Sequence, residues 1–124
     1  MSTNDKKVVL ITGAAGGIGF ATVKLFSQNG WRVIGVDRQA PEGLEQDFPA
    51  DGRFIQADIS SGANLEQIFA EAQRFSPRLD ALVNNAALQI AKPLLQTSVE
   101  EWDAVMASNL RSDFLGMKLA HPLF

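Results

Sequence analysis

The stretch ITGAAGGIG, Ile11 to Gly19, sets four glycines in nine residues directly behind the apolar run Val8-Val9-Leu10. Such a turn needs backbone conformations that side chains disfavour, or approaches that side chains would block. The run KVVLI (Lys7–Ile11) is continuously apolar rather than alternating, as expected of a strand covered on both faces. A helix beginning right after such a strand presents unpaired N–H groups and partial positive charge, and glycine lets an anion approach its backbone. The feature is therefore a candidate phosphate cradle, with a tight turn that holds no ligand as the alternative.

The remaining periodicity switches between strand and helix. Phe20, Val23, Leu25 and Phe26 are spaced as a helix that stops at Asn29-Gly30. WRVIGVD (Trp31–Asp37) and RFIQAD (Arg53–Asp58) read as strands, each ending on an acid, and the Pro/Gly/acid-rich stretch between them as a loop or short irregular helix. Ser60 and Ser61 are candidate caps for the helix GANLEQIFAEAQRF, and LDALVNNAA (Leu79–Ala87) is a fourth strand leaving into a polar-small loop. Ser98-x-x-Glu101 is a capping box. It opens a helix to Ala120 of about 33 Å, with Val99, Trp102, Val105, Met106, Leu110, Phe114 and Met117 on one apolar stripe. The order β-α-β-(short α)-β-α-β-α implies parallel strands with helices on both faces of the sheet.

The 124 residues suit one domain; the net charge of −3 argues against nucleic acid or an anionic membrane as the main partner. No apolar run approaches a bilayer span, the polar start MSTNDKK lacks the core of a signal peptide, and no cysteine is present. These features lead to the expectation of a soluble, cytoplasmic chain without metal.

No lysine follows the glycines in the pattern of a nucleoside-triphosphate loop. Gly13, Gly17 and Gly19 make G-x-x-x-G-x-G, although Gly16 also permits G-x-x-G-x-x-G. Asp37 lies 18 positions after Gly19, at a strand end, where a carboxylate accepts hydrogen bonds from an adenosine ribose. It would repel a 2′-phosphate, and neutral Ala15 offers that phosphate no partner; Arg38 is the contrary signal. The expectation is NAD rather than NADP, held by Gly13, Ala15, Gly17, Ile18, Gly19, Asp37 and Arg38.

With TGAAGGIG, VDR, ADI, LVNNAA and EEWDAVMASNL in order, the chain resembles the short-chain dehydrogenase/reductase family from Lys7 onward. The resemblance implies a Rossmann-like, doubly wound parallel α/β sheet of about four strands, order 3-2-1-4, incomplete at one edge. It would form one NAD(P)-binding domain over residues 1–124. By the same resemblance Asp58 accepts from the adenine amino group, with Ile59 behind the ring; a helix-cap carboxylate is the alternative for Asp58. Asn84 would tie the fourth strand into the sheet, and Asn85, Ala86 and Ala87 would line the cofactor, Ala87 standing where the family usually has glycine. Asn109 would be the catalytic-tetrad asparagine that holds a relay water; a buried asparagine satisfied by backbone is the alternative.

The implied activity is hydride transfer between a nicotinamide and a small alcohol or carbonyl. The family's catalytic serine and Tyr-x-x-x-Lys have no counterpart here, the chain containing no tyrosine. Three readings stand at this stage: a shortened form of an enzyme, a non-catalytic dinucleotide-binding or interaction module, or a subunit completed by another chain. An apolar strand edge and an uncovered helix face would then favour a homo-oligomer.

Overall fold

The computed structural model describes residues 5–124; the polar start Met1–Asn4 lies outside the described residues. Strands β1 (Val8–Thr12), β2 (Arg32–Asp37), β3 (Arg53–Gln56) and β4 (Ala81–Val83) form one sheet in the order β3-β2-β1-β4. All three pairings are parallel. Helices α1 (Gly17–Gln28), α2 (Leu44–Asp47) and α3 (Gly62–Phe75) connect the strands. After β4 come a 3₁₀ turn (Leu94–Gln96), α4 (Val99–Met106), a π turn (Ala107–Arg111), α5 (Ser112–Ala120) and a closing 3₁₀ turn (His121–Leu123).

Every residue of β1 is buried, and the strand divides its side chains between two cores. Val8 and Leu10 join Ile34, Val36 and Ile55 against α3 and the end of α5, through Leu65, Ile68, Phe69, Ala72 and Ala120. Val9 and Ile11 join Val33 and Ala14 against Val23 of α1, with Phe20, Phe26 and Trp31 at the margin. This two-sided cover explains why the strand is apolar without alternation. Gly35 keeps β2 clear for the Phe48 ring, which lies 2.8 Å from where a Cβ would stand.

Several elements differ from the expected bounds. Strand β1 is shifted one residue later, β2 begins at Arg32 and not Trp31, β3 ends at Gln56 and not Asp58, and the fourth strand shrinks to three residues. The last helix is interrupted by the π turn, and it packs through the face opposite to its large apolar stripe. Ser112, Gly116 and Ala120 are the buried residues of α5, whereas Trp102 (60%), Leu110 (60%), Phe114 (59%) and Met117 (56%) are largely exposed. Small side chains at i, i+4 and i+8 let this helix come close to the sheet; a Cβ on Gly116 would already stand 3.8 Å from Leu82.

This packing predicts that Ala120→Leu, at a position 0% exposed, overfills the core. The loss should be about 1–3 kcal/mol, while Leu25→Ala on the outer side of α1 should change stability by no more than about 0.5 kcal/mol. Urea unfolding followed by far-UV circular dichroism measures both.

Candidate functional site

The parallel sheet places the C-terminal ends of all four strands on one edge, and the candidate residues gather there. In the β1–α1 turn, Gly13 (φ 68°) and Gly17 (φ 57°) adopt the left-handed conformation that side chains disfavour. Gly19 is required for a different reason: a Cβ there would sit 1.8 Å from the Gly13 carbonyl oxygen. Gly16 is extended, with nothing within 4 Å of its Cβ position, so it meets neither requirement. The geometry thereby selects the G-x-x-x-G-x-G spacing. No side chain caps α1, and its first-turn N–H groups are left for solvent or an anion, with Ile18 exposed beside them.

The turn is held by the chain leaving β4. Thr12 Oγ1 accepts hydrogen bonds from the backbone N–H groups of Asn85 (3.1 Å) and Ala86 (3.0 Å). Asn85 Nδ2 in turn donates to the carbonyls of Thr12 (3.1 Å) and Gly13 (3.2 Å). The tie expected of Asn84 is thus made by its neighbour, because Asn84 stands on the α5 side, with Oδ1 close to Gly116. Ala86 and Ala87 follow as part of a groove wall.

On the opposite wall, Asp37 ends β2 with both carboxylate oxygens engaged. Oδ2 accepts from the Ala15 N–H (3.0 Å) and Oδ1 from the Gln39 N–H (2.9 Å), which fixes the carboxylate against the glycine turn. Arg38 lines the groove beside it. Asp58 Oδ1 accepts from the Ser60 N–H at 2.9 Å, and that bond is the main cause of a carboxyl pKa below the usual aspartate value. Asp58 is therefore an ionised acceptor at neutral pH, and buried Ile59 anchors its turn in the core.

The last helix forms the outer wall. Asn109 binds both backbone groups of one residue: Oδ1 accepts from the Leu88 N–H (2.7 Å) and Nδ2 donates to the Leu88 carbonyl (2.8 Å). Two residues on, Arg111 Nη2 donates to the Ser60 carbonyl (2.8 Å). Near the start of α4, Lys92 pairs with Glu101 at 2.7 Å; this bond is the main cause of a Glu101 pKa lowered to about 2, and the observed capping box with Ser98 adds to it.

Together these walls enclose a groove of about 800 Å³. It is lined by Gly13, Asp37, Arg38, Asp58, Ile59, Ala86 and Ala87 of the expected set, whereas Ala15, Gly17, Ile18, Gly19, Asn85 and Asn109 are not among its lining residues; Gly19 packs against Gly13, which is. Thr12, Ser60 and Arg111 were not among the expected residues. Thr12 stood in the motif itself, and Arg111 lies at helical spacing from Asp103, Ala104, Ala107 and Ser108, a small and polar face that was legible beside the apolar stripe.

The family model for short chain dehydrogenases matches residues 7–124. A cyclopentanol dehydrogenase from Comamonas sp. is 38% identical, over 95% of this chain and 49% of its own length. An NAD-dependent glycerol dehydrogenase from Listeria innocua is 34% identical, over 88% of this chain and 44% of its own length. Among solved structures, a short-chain dehydrogenase from Streptomyces avermitilis superposes with a TM-score of 0.88 at 26% identity, covering 96% of this chain and 44% of that one. The chain spans a little under half the length of these relatives.

The two kinds of glycine in the turn should separate on substitution. Gly19→Ala forces backbone apart and should cost about 1–3 kcal/mol, whereas Gly16→Ala should stay within about 0.5 kcal/mol. Thermal melting compares them, and equal midpoints for the two variants would refute the assignment.

Proposed function

The chain belongs to the short-chain dehydrogenase family, and from that premise we propose that it binds NAD as the cofactor-holding part of an oxidoreductase acting on an alcohol or carbonyl. The observation that carries this reading is the turn of Gly13, Gly17 and Gly19 at the uncapped start of α1, whose Gly13 lines the groove that contains Asp37 and Asp58. The pyrophosphate would lie against the α1 N–H groups. Asp37 would take the adenosine ribose hydroxyls, since each of its oxygens keeps an acceptor site beyond the backbone bond it makes. Asp58 would accept from the adenine amino group, with Ile59 behind the ring.

Charge favours NAD over NADP. Asp37, Asp58, Glu100 and Asp103 line the groove against Arg38 and Arg111, and Arg111 is engaged with a carbonyl. A 2′-phosphate would meet this surplus of carboxylates. The NAD dependence in the name of the Listeria relative supports the same choice. The alcohols in the names of both curated relatives support the substrate class, and favour an oxidoreductase over a non-catalytic module.

When bound, the nicotinamide supplies the hydride chemistry; the residues here hold and orient it. Asn109 would hold a relay water from a fixed position, because its Leu88 bonds leave one acceptor site on Oδ1 and one N–H on Nδ2. The tyrosine of the family's Tyr-x-x-x-Lys is not among the residues of this chain. Lack of cysteine suits a reducing, cytoplasmic setting. No helix among the described residues is long and apolar enough to cross a membrane.

The exposed stripe Val99–Trp102–Leu110–Phe114–Met117 would seat a second copy of the chain. Light scattering at micromolar concentration should give twice the mass of one chain, and Phe114→Lys should return it to the single mass. A monodisperse monomer in the unaltered protein would overturn this pairing.

Calorimetric titration with NADH tests the main reading. Binding is expected, weakened about tenfold or more by Asp37→Ala, with NADPH binding less tightly than NADH. No binding of either nucleotide, or tighter binding of NADPH, would contradict it.

A further inference from the structure

The geometry points to Arg111 as the positioning residue of the base end of the groove: reaching from the π turn, it holds the Asp58–Ser60 turn in the form that reads the base. This inference rests on the dinucleotide reading given above.

The Asp58–Ser60 turn is shaped from within. Ser60 N–H donates to Asp58 Oδ1 (2.9 Å), Asn64 Nδ2 donates to the Asp58 carbonyl (3.0 Å), and Ser61 Oγ caps α3 through the Asn64 N–H (3.3 Å). These partners lie within seven residues of one another, so they set the turn's conformation without registering it against the facing wall. Ile59 anchors the turn from beneath, in the core. The bond that crosses to the last helix is Arg111 Nη2 to the Ser60 carbonyl, between residues 51 positions apart.

Asn109 and Arg111, both within the π turn, bind different partners, one Leu88 and the other Ser60. One short segment thereby fastens both the chain leaving β4 and the turn leaving β3. Arginine suits the position: a planar, permanently charged fork can spend one N–H on a carbonyl and keep the others directed at a ligand. Arg111 lines the same groove as Asp58 and Ile59, so those remaining donors border the proposed base site.

A role in positioning differs measurably from simple reinforcement of the fold. The probes are NADH and reduced nicotinamide hypoxanthine dinucleotide, which carries a carbonyl oxygen where adenine carries its amino group. Binding of each is followed by nicotinamide fluorescence in the full chain. The unaltered protein should prefer NADH. Arg111→Ala should weaken NADH about fivefold and the hypoxanthine analogue less, so that the preference shrinks; Arg111→Lys should recover part of it. Equal weakening of both nucleotides, or no change in either, overturns the proposal. If Arg111→Ala fails to fold, Arg111→Lys decides: a reduced preference supports positioning and a full preference overturns it. Failure of the unaltered protein to bind either probe removes the functional reading, and this inference falls with it; binding with an unaltered preference in the variants removes the Arg111 role alone.

Discussion

The parallel pairing of β1 with β2 on one side and β4 on the other is the constraint on which the rest of the molecule depends. A central strand buried on both faces has to be apolar throughout, and helices have to cover it front and back. Because its neighbours run in the same direction, each connection returns over a face and the strand ends collect on one edge. Thr12, Asp37, the Asp58 turn and Asn85 are brought together for that reason, although they come from four separate stretches of sequence.

Along that edge the acidic acceptors are engaged by the protein's own backbone. Asp37 takes N–H groups from Ala15 and Gln39, and Asp58 takes one from Ser60. Such bonds aim each carboxylate and leave lone pairs to spare. The groove is built before anything enters it, which reduces the ordering that binding would otherwise require.

Much of this was legible in the residues, and the places where it was not share a cause. Helix α3 runs over the expected GANLEQIFAEAQRF with its Ser61 cap, because cap and apolar period agree there. The glycine spacing located the turn, but only the backbone angles and the Cβ positions separate Gly13, Gly17 and Gly19 from Gly16. The stretch Leu79–Ala87 was read as a strand leaving into a polar-small loop; the strand itself is only Ala81–Val83, since Asn85 and Ala86 give their N–H groups to the Thr12 hydroxyl. In the last helix the hydrophobic period located an apolar stripe, but that stripe is not the face that meets the sheet. Close approach to the sheet is granted by Ser112, Gly116 and Ala120, a property of size that hydropathy does not register. The Arg111–Ser60 bond has no local signature, since its acceptor is a backbone carbonyl far along the chain.

The short β4 also has a kinetic side. β1 and β2 are joined in five register pairs between residues 24 apart, while β1 and β4 have three pairs between residues 72 apart. Loop closure costs about 0.6 kcal/mol more for each doubling of the intervening length, so the longer closure is also the one rewarded by fewer contacts. β1–β2 is therefore the early pairing in folding, and β4 docks late. The Asn85–Leu88 segment travels with it, so the groove acquires its second wall only as the chain completes its sheet. A ligand that bridges the two walls would stabilise this segment against opening, and any opening that it had to reverse would lower its apparent affinity.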